Sequence, residues 1–334
     1  MERLGFLTIG LFDASDPGPG HETTLRTIEL GEQLGFDSAW LRHRHLQYGI
    51  SSPVAVLAAA SQRTSRIEFG TAVTPLGWEN PLRLAEDLAT VDLLSGGRLN
   101  PGVSVGPPRN LDAVRDALYP APAPAEDFGD ERLTRLLRLV AGEQASTFEG
   151  TEGFEVYSRR VEPHSPGLRS RMWYGAASLG SARRAGELRM NLLTSSVVRA
   201  EGNEAAGFAA IQRAQIDEFR AAHPEGRVSQ GLVVIPTDTA TPEQRAKYEA
   251  YAAERTPRTR TPQGPAGMLF ARDIVGPSER IAEQLRADEA YRAVTEVVFA
   301  LPFSFAPEDY VQILTDMATR LGPVLGWSPR PAAV

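Results

Sequence analysis

Residues 66–106 constrain this chain's fold more tightly than any other stretch. Ile67, Phe69 and Val73 form a short apolar run with β-branched members, closed by Pro75-Leu76-Gly77, as a buried parallel strand requires. Asn80-Pro81 opens a helix with proline in its first turn, and Leu84, Ala85, Leu88 and Val91 share one of its faces. Ser95-Gly96-Gly97 stops that helix, and Leu99 to Val105 returns as the next strand. Strand, helix and strand in this order make one βαβ unit.

The same alternation extends through the chain. Leu4 to Phe12 and Phe36 to Leu41 read as strands one and two, with a helix over Thr23 to Leu34 between them and a small-residue helix over Pro53 to Ala60 after them. Leu133, Leu136, Leu137 and Val140 mark a fourth helix; Thr147 to Gly150 and Phe154 to Tyr157 read as a small hairpin. Met172 to Gly175, Asn191 to Val197, Leu232 to Ile235 and Val294 to Leu301 are strands five to eight. Helices over Ser181 to Leu188, Ala205 to Ala221, from Gly276-Pro277-Ser278-Glu279 and from Ala306-Pro307-Glu308-Asp309 follow them. In the last, Val311, Leu314, Ala318 and Leu321 share a face. Eight strands each followed by a helix predict a (β/α)8 barrel, with a doubly wound open sheet as the alternative. Two stretches without periodicity, Pro101 to Pro124 and Ala240 to Ala266, read as insertions after strands four and seven.

Composition narrows the function. A net charge of −7, from 42 acids against 35 bases with no basic stripe, argues against a nucleic-acid partner. Cysteine is absent, which removes disulfides, thiolate metal sites and cysteine nucleophiles together. The chain enters Leu4-Gly5-Phe6-Leu7 with no basic leader, and no apolar run approaches the roughly 18 residues of a membrane span. The expectation is a cytoplasmic protein without a membrane partner.

In a barrel the chemistry sits on loops after the strands. One such loop is Gly175-Ala176-Ala177-Ser178-Leu179-Gly180-Ser181-Ala182-Arg183. A strand running into small residues and then Ser-x-x-Ser at a helix start leaves backbone N–H groups that attract a phosphate. Ordinary serine capping of the helix is the other reading. A second loop is Arg42-His43-Arg44-His45 after strand two, which is either a reactive loop or a solvated rim.

The run GTAVTP…NPLRLAEDLATVDLLSGGRL closely resembles the luciferase-like flavin monooxygenase family, named after bacterial luciferase. The resemblance extends, with a gap in the middle, from near Leu4 to about Leu325. It implies a single TIM-barrel domain over residues 1–334 and reduced FMN as co-substrate. Gly175, Ala176, Ala177, Ser178 and Ser181 fall on the family's flavin-phosphate stretch, with both of its glycines replaced by Ala176 and Ala177. Ala72-Val73 falls on the family's non-prolyl cis peptide behind the flavin ring. Ser104 falls where luciferases carry a reactive cysteine, and Val105 where they carry a phosphate-binding arginine, for which Arg109 is a candidate substitute. The lead-in Gly35-Phe36-Asp37-Ser38-Ala39-Trp40 aligns His43 with the family's acidic position, Arg44 with its catalytic first histidine and His45 with the second. Arg44 and His45 are therefore the candidate catalytic residues, Arg44 as a fixed cation and His45 as a proton carrier. Trp78 is a candidate wall of the substrate pocket.

No GxGxxG fingerprint follows any strand, so a tightly held NAD(P) site is not indicated. The leading expectation is a two-component monooxygenase: a separate flavin reductase delivers reduced FMN, and one oxygen of O₂ enters a small-molecule substrate. The alternatives are a deazaflavin-dependent hydride-transfer oxidoreductase and a catalytically silent flavin-binding protein. The resemblance also implies a homodimer packed through the second and third helices.

Overall fold

The computed structural model describes residues 1–120 and 126–330, which form an α/β fold on one curled parallel sheet. The sheet is carried by β1 (Arg3–Thr8), β2 (Ser38–Leu41), β3 (Glu68–Thr71, resuming as Thr74–Pro75) and β4 (Leu99–Asn100, resuming as Gly102–Ser104). It continues through β5 (Trp173–Gly175), β6 (Asn191–Leu193), β7 (Val228–Pro236) and β8 (Glu296–Ala300). Neighbours in this order pair in parallel, and β8 pairs with β1 from Arg3↔Glu296 onward.

The breaks in β3 and β4 lie side by side. Phe69 and Gly70 pair with Leu99 and Asn100, and Thr74 and Pro75 then pair with Val103 and Ser104. Between them the Thr71 hydroxyl donates to the Gly102 carbonyl at 2.7 Å and accepts from its N–H at 3.0 Å. A Cβ at position 102 would stand 2.1 Å from the Thr71 carbonyl oxygen, so only glycine fits this crossing. Side-chain and backbone bonds thus replace the ladder where the two strands part.

Eight helices follow the strands: α1 (Gly18–Gln33), α2 (Pro53–Ser61), α3 (Pro81–Leu94), α4 (Asp130–Val140), α5 (Leu179–Glu187), α6 (Phe208–Ala222), α7 (Ser278–Ala287) and α8 (Pro307–Asp316). Asn80 caps α3 by accepting from the Leu82 and Arg83 N–H groups, and Pro81 takes the position whose N–H would have no partner. Leu84, Ala85, Leu88 and Val91 are buried as their spacing predicts, and so are Leu133, Leu136, Leu137 and Val140 of α4.

Strand one ends at Thr8, not Phe12, and three further expectations need correction. Strand six ends at Leu193, not Val197: Ser195 Oγ accepts from the Val197 N–H at 3.1 Å, a local turn that breaks the ladder. Val197–Arg199 instead pairs antiparallel with Met268–Phe270 from the insertion after β7. In α8, Val311 is exposed, because the buried face centres on Ile313, Leu314 and Met317, roughly 100° around the helix from it. The two insertions also hold regular structure, the helices Leu111–Leu118 and Pro242–Arg255. The second helix buries only Tyr248, which is why no apolar period marked it. Part of the first insertion, residues 121–125, lies outside the described residues. A hairpin forms, but its first strand is Gly150–Glu152 rather than Thr147 to Gly150, paired with Glu155–Tyr157. Among the described residues no helix is long and apolar enough to cross a membrane.

At the N-terminal ends of the strands, charges are paired. Glu296, almost fully buried, takes Arg227 at 2.8 Å and Arg3 at 3.8 Å, while Glu68 takes Arg3 at 2.7 Å. Asp37 accepts from the Leu4 N–H and the Trp327 indole N–H, each at 2.8 Å, tying the C-terminal segment across the floor.

Candidate active site

The C-terminal ends of the strands look different. After β2 the chain turns through Arg42 to Ile50, with the Arg44 N–H donating to the Ile50 carbonyl at 2.8 Å and Leu46 exposed at the tip with φ 54°. His43, which a solvated rim would leave exposed, is only 4% exposed. Its Nε2 lies 2.7 Å from the Ser51 carbonyl oxygen, which can only accept, so Nε2 carries the proton and Nδ1 keeps a lone pair with no partner. Burial first, and the neighbouring His45 second, hold its pKa down at about 4. His45 is half-buried, its pKa lowered by burial, and its Nε2 is buried without a partner among the described residues. Both imidazoles are therefore neutral near pH 7.

A second element meets this loop. After β3 the turn Leu76–Trp78 lays the Trp78 indole on His45, with centroids 4.1 Å apart and planes 11° from parallel. Glu79 follows, its carboxylate 3.8 Å from His43 Nε2 and its pKa raised by burial and then by Asp87. The backbone here is clamped by Arg132 of α4, which is 3% exposed and donates to the Leu76 and Glu79 carbonyls at 3.3 and 2.5 Å. Arg132 also pairs with Glu126, while Tyr119 donates to the Gly77 carbonyl at 2.7 Å. Arg44 is half-buried; burial and then the nearby Arg109 lower its pKa, and no acid among the described residues pairs with it. Arg109, the candidate substitute for the phosphate arginine, is thus a neighbour of the β2 loop.

The loop after β5 forms the third part. A Cβ on Gly175 would stand 2.7 Å from Val73 Cγ1, so the end of β5 lies directly against the Ala72–Val73 step, whose peptide is cis. Ser104, half-buried, closes β4 beside Pro75. Ala176 is buried and its N–H bonds to the Leu193 carbonyl, while the Ala177 carbonyl accepts from the Arg199 N–H. The expectation that Ser178 and Ser181 present free donors fails. Ser178 Oγ accepts from the Ser181 N–H, and Ser181 Oγ accepts from the N–H groups of Ala177 and Ser178, so the pair forms a closed capping box. The Leu179 N–H at the same helix start donates to a carboxylate oxygen of Glu201 at 3.0 Å. A negative group already sits at this terminus, as its dipole favours. Arg199 contributes positive charge on this side, felt at the Tyr174 hydroxyl.

The structure therefore brings Ala72, Val73, Ser104 and Gly175 together at one end of the sheet, with the α5 start adjoining. Arg44 and His45 stand on the β2 loop at the same end. Sequence reasoning placed His43 on the family's acidic position without giving it a role, and passed over Glu79, Arg132 and Glu201. Only Arg132 left a signal, as a cation inside the apolar stripe of α4. Chemically, the β2 loop offers a fixed cation and neutral proton acceptors, and the α5 start accepts an anion.

The luciferase-like monooxygenase family model matches residues 1–296. A 4-hydroxyprotoasukamycin monooxygenase of Streptomyces nodosus subsp. asukaensis is 31% identical over 170 residues, covering 48% of this chain and 44% of that protein. An F420-dependent glucose-6-phosphate dehydrogenase of Intrasporangium calvum is 37% identical over 147 residues, 40% of this chain and 43% of that one. These matches span less than half the length of either relative. Among solved structures, the oxygenating constituent of 3,6-diketocamphane monooxygenase from Pseudomonas putida, in complex with FMN, superposes with a TM-score of 0.65. It is 14% identical, covering 96% of this chain and 98% of that one. Both sequence relatives are oxidoreductases by name, one an oxygenase and one a dehydrogenase. On the family match across most of its length, this chain belongs to the luciferase-like monooxygenases, a family of oxidoreductases.

Proposed function

We propose that the chain is a flavin-dependent monooxygenase that receives reduced FMN from a partner reductase and oxygenates a small organic molecule with O₂. The fold is read here as a single (β/α)8 barrel with insertions after β4 and β7, a reading supported by the parallel pairing that returns from β8 to β1. One observation carries the cofactor reading: Glu201 on the Leu179 N–H marks an anion-accepting helix start in the loop that leaves Gly175, which packs on Val73. The FMN phosphate would take the place of that carboxylate, with Arg199 as the nearby cation, and the isoalloxazine would rest against Ala72–Val73 with Ser104 at its edge. Reduced FMN supplies the electrons that activate O₂. Arg44 holds a positive charge at the mouth, and its guanidinium cannot act as a base. Neutral His45, fixed by its stack on Trp78, accepts or returns a proton.

Deazaflavin as coenzyme is the second reading, favoured by the F420-dependent relative at 37% identity. A homodimer through α2 and α3 is proposed from the exposed Leu82, Leu93 and Leu94 of α3. The protein is proposed to act in the cytoplasm.

Calorimetric titration with FMN, reduced FMN, riboflavin and the deazaflavin coenzyme tests the reading. Reduced FMN should bind most tightly, and riboflavin should bind more weakly than FMN. Equal affinity for riboflavin removes the phosphate argument, and preference for the deazaflavin selects the second reading. With NAD(P)H and FMN, O₂ uptake should require an added flavin reductase; rapid unassisted NAD(P)H oxidation overturns the two-component scheme.

A further inference from the structure

His43, His45 and Glu79 each present one donor atom, and all three atoms lie within 4.8 Å of one another. They come from two different loops, and the flavin reading gives no role to His43 or Glu79. We propose that these three side chains bind a divalent transition-metal ion at the mouth of the sheet. Two imidazoles and one carboxylate suit borderline ions such as Zn²⁺, Co²⁺ or Ni²⁺, whereas Mg²⁺ and Ca²⁺ take all-oxygen surroundings.

The balance of donors and acceptors argues for a cation here. His43 Nδ1 and His45 Nε2 are buried without a hydrogen-bond partner among the described residues. The protonated His43 Nε2, committed to the Ser51 carbonyl, stands 3.8 Å from the Glu79 carboxylate, too far for a hydrogen bond between them. Two imidazoles, each with one unpartnered nitrogen, and a carboxylate thus meet at one place with no hydrogen bond among them, which a metal ion on His43 Nδ1, His45 Nε2 and Glu79 would relieve.

Each ligand is also held from outside, as metal ligands are. The Ser51 carbonyl fixes the His43 ring, the Trp78 face fixes His45, and Arg132 fixes the backbone at Glu79. Ligand atoms at 2.0–2.2 Å from a tetrahedral ion stand about 3.3 Å apart, so the side chains close by modest rotation. Half-buried Glu79 has the freedom to do so. Three protein ligands leave a fourth position open, as in exchangeable or catalytic sites and unlike closed structural ones. An ion there occupies the lone pair of His45, so Zn²⁺ should reversibly slow any turnover that uses it.

The test is optical and independent of flavin. Co²⁺ titrated into the chelator-stripped chain should give visible d–d bands saturating at one equivalent, displaced by Zn²⁺ and not by millimolar Mg²⁺. His45→Gln and Glu79→Gln, both at half-buried positions, should each weaken Co²⁺ at least as much as loss of an outer-shell partner does, roughly 10–100-fold. Far-UV circular dichroism confirms that each variant is folded. Absent bands, displacement by Mg²⁺, or unchanged affinity in either folded variant overturns the proposal. None of these outcomes bears on whether FMN binds.

Discussion

The two ends of the sheet spend their charged residues in opposite ways. At the floor, Arg3, Glu68, Arg227 and Glu296 form one paired network, with the Arg227 guanidinium also over Trp173, 4.8 Å from its ring centroid. At the mouth, Arg44 has burial and Arg109 acting on it, and His43, His45 and Glu79 converge without a hydrogen bond among them. Nothing in folding alone favours the second arrangement, since buried polar groups without partners are costly. Clusters of this kind are found where the groups act on something else, as at functional sites. The floor's ion pairs stabilise the sheet, and the mouth is where the proposed chemistry is placed.

Substitutions at the two ends should separate these properties. At the mouth, His45→Ala should lower coupled turnover about 10²–10⁴-fold, the typical worth of a positioned proton carrier, with little change in urea denaturation. Arg44→Ala should release more hydrogen peroxide per NAD(P)H consumed, while FMN affinity stays the same. Arg44→Lys keeps the charge without the planar fork and should rescue a purely electrostatic role. Full coupled turnover in both alanine variants would reduce the loop to a solvated rim, and the contrast between the two ends would fail.

At the floor, Arg227→Met should cost about 3 kcal/mol in urea denaturation, the low end for a broken buried pair because Arg227 is a third exposed. Turnover should hold. The loss should also depend on pH. Burial pushes the Glu296 carboxyl above its ordinary value, with Arg227 and Arg3 pulling it back. Without Arg227 its folded pKa rises further above the unfolded one. Stability of the variant is then best below the unfolded pKa and falls as pH rises through the folded pKa. The deficit against the wild type should therefore shrink on acidification. A deficit independent of pH would mean that the guanidinium acts by packing on Trp173.

The strands and helices were largely legible in the sequence, because their signals are local, whereas the floor's ion pairs join residues far apart in the chain and were not. Asn80-Pro81 and Ala306-Pro307 announce helix starts by their own chemistry, and Leu133 to Val140 announces a buried face by spacing. The mouth was legible only through resemblance, and then incompletely. His43 falls on the family's acidic position, so its burial and its approach to Glu79 depend on how two loops 36 residues apart meet. Glu79 is an acid in a turn, with no period to mark it. The Thr71–Gly102 crossing that splits β3 and β4 is likewise invisible until the strands are paired. Ser-x-x-Ser at 178–181 was legible as a helix start, yet sequence could not show that its hydroxyls would close on each other.

That last point leads to the smallest expected effect. Among the charged groups at the mouth, the Glu201 carboxylate is one that has found a donor, the Leu179 N–H at the start of α5. If this terminus serves the FMN phosphate, Glu201 competes with it twice, by occupying an N–H and by like charge. Glu201→Gln removes the charge and keeps the size. It should tighten FMN about tenfold, near the lower bound for one charge-assisted hydrogen bond of about 1.5–3 kcal/mol. Riboflavin, lacking the phosphate, should bind the variant and the wild type alike. The helix itself should lose about 0.3–1 kcal/mol, because an anion at its N-terminus is stabilising in the ligand-free chain. Weaker FMN binding in the variant would mean that Glu201 orders the loop for the cofactor. A parallel change for riboflavin would mean that the helix start does not hold the phosphate, and the anion site at α5 would then belong to the fold alone.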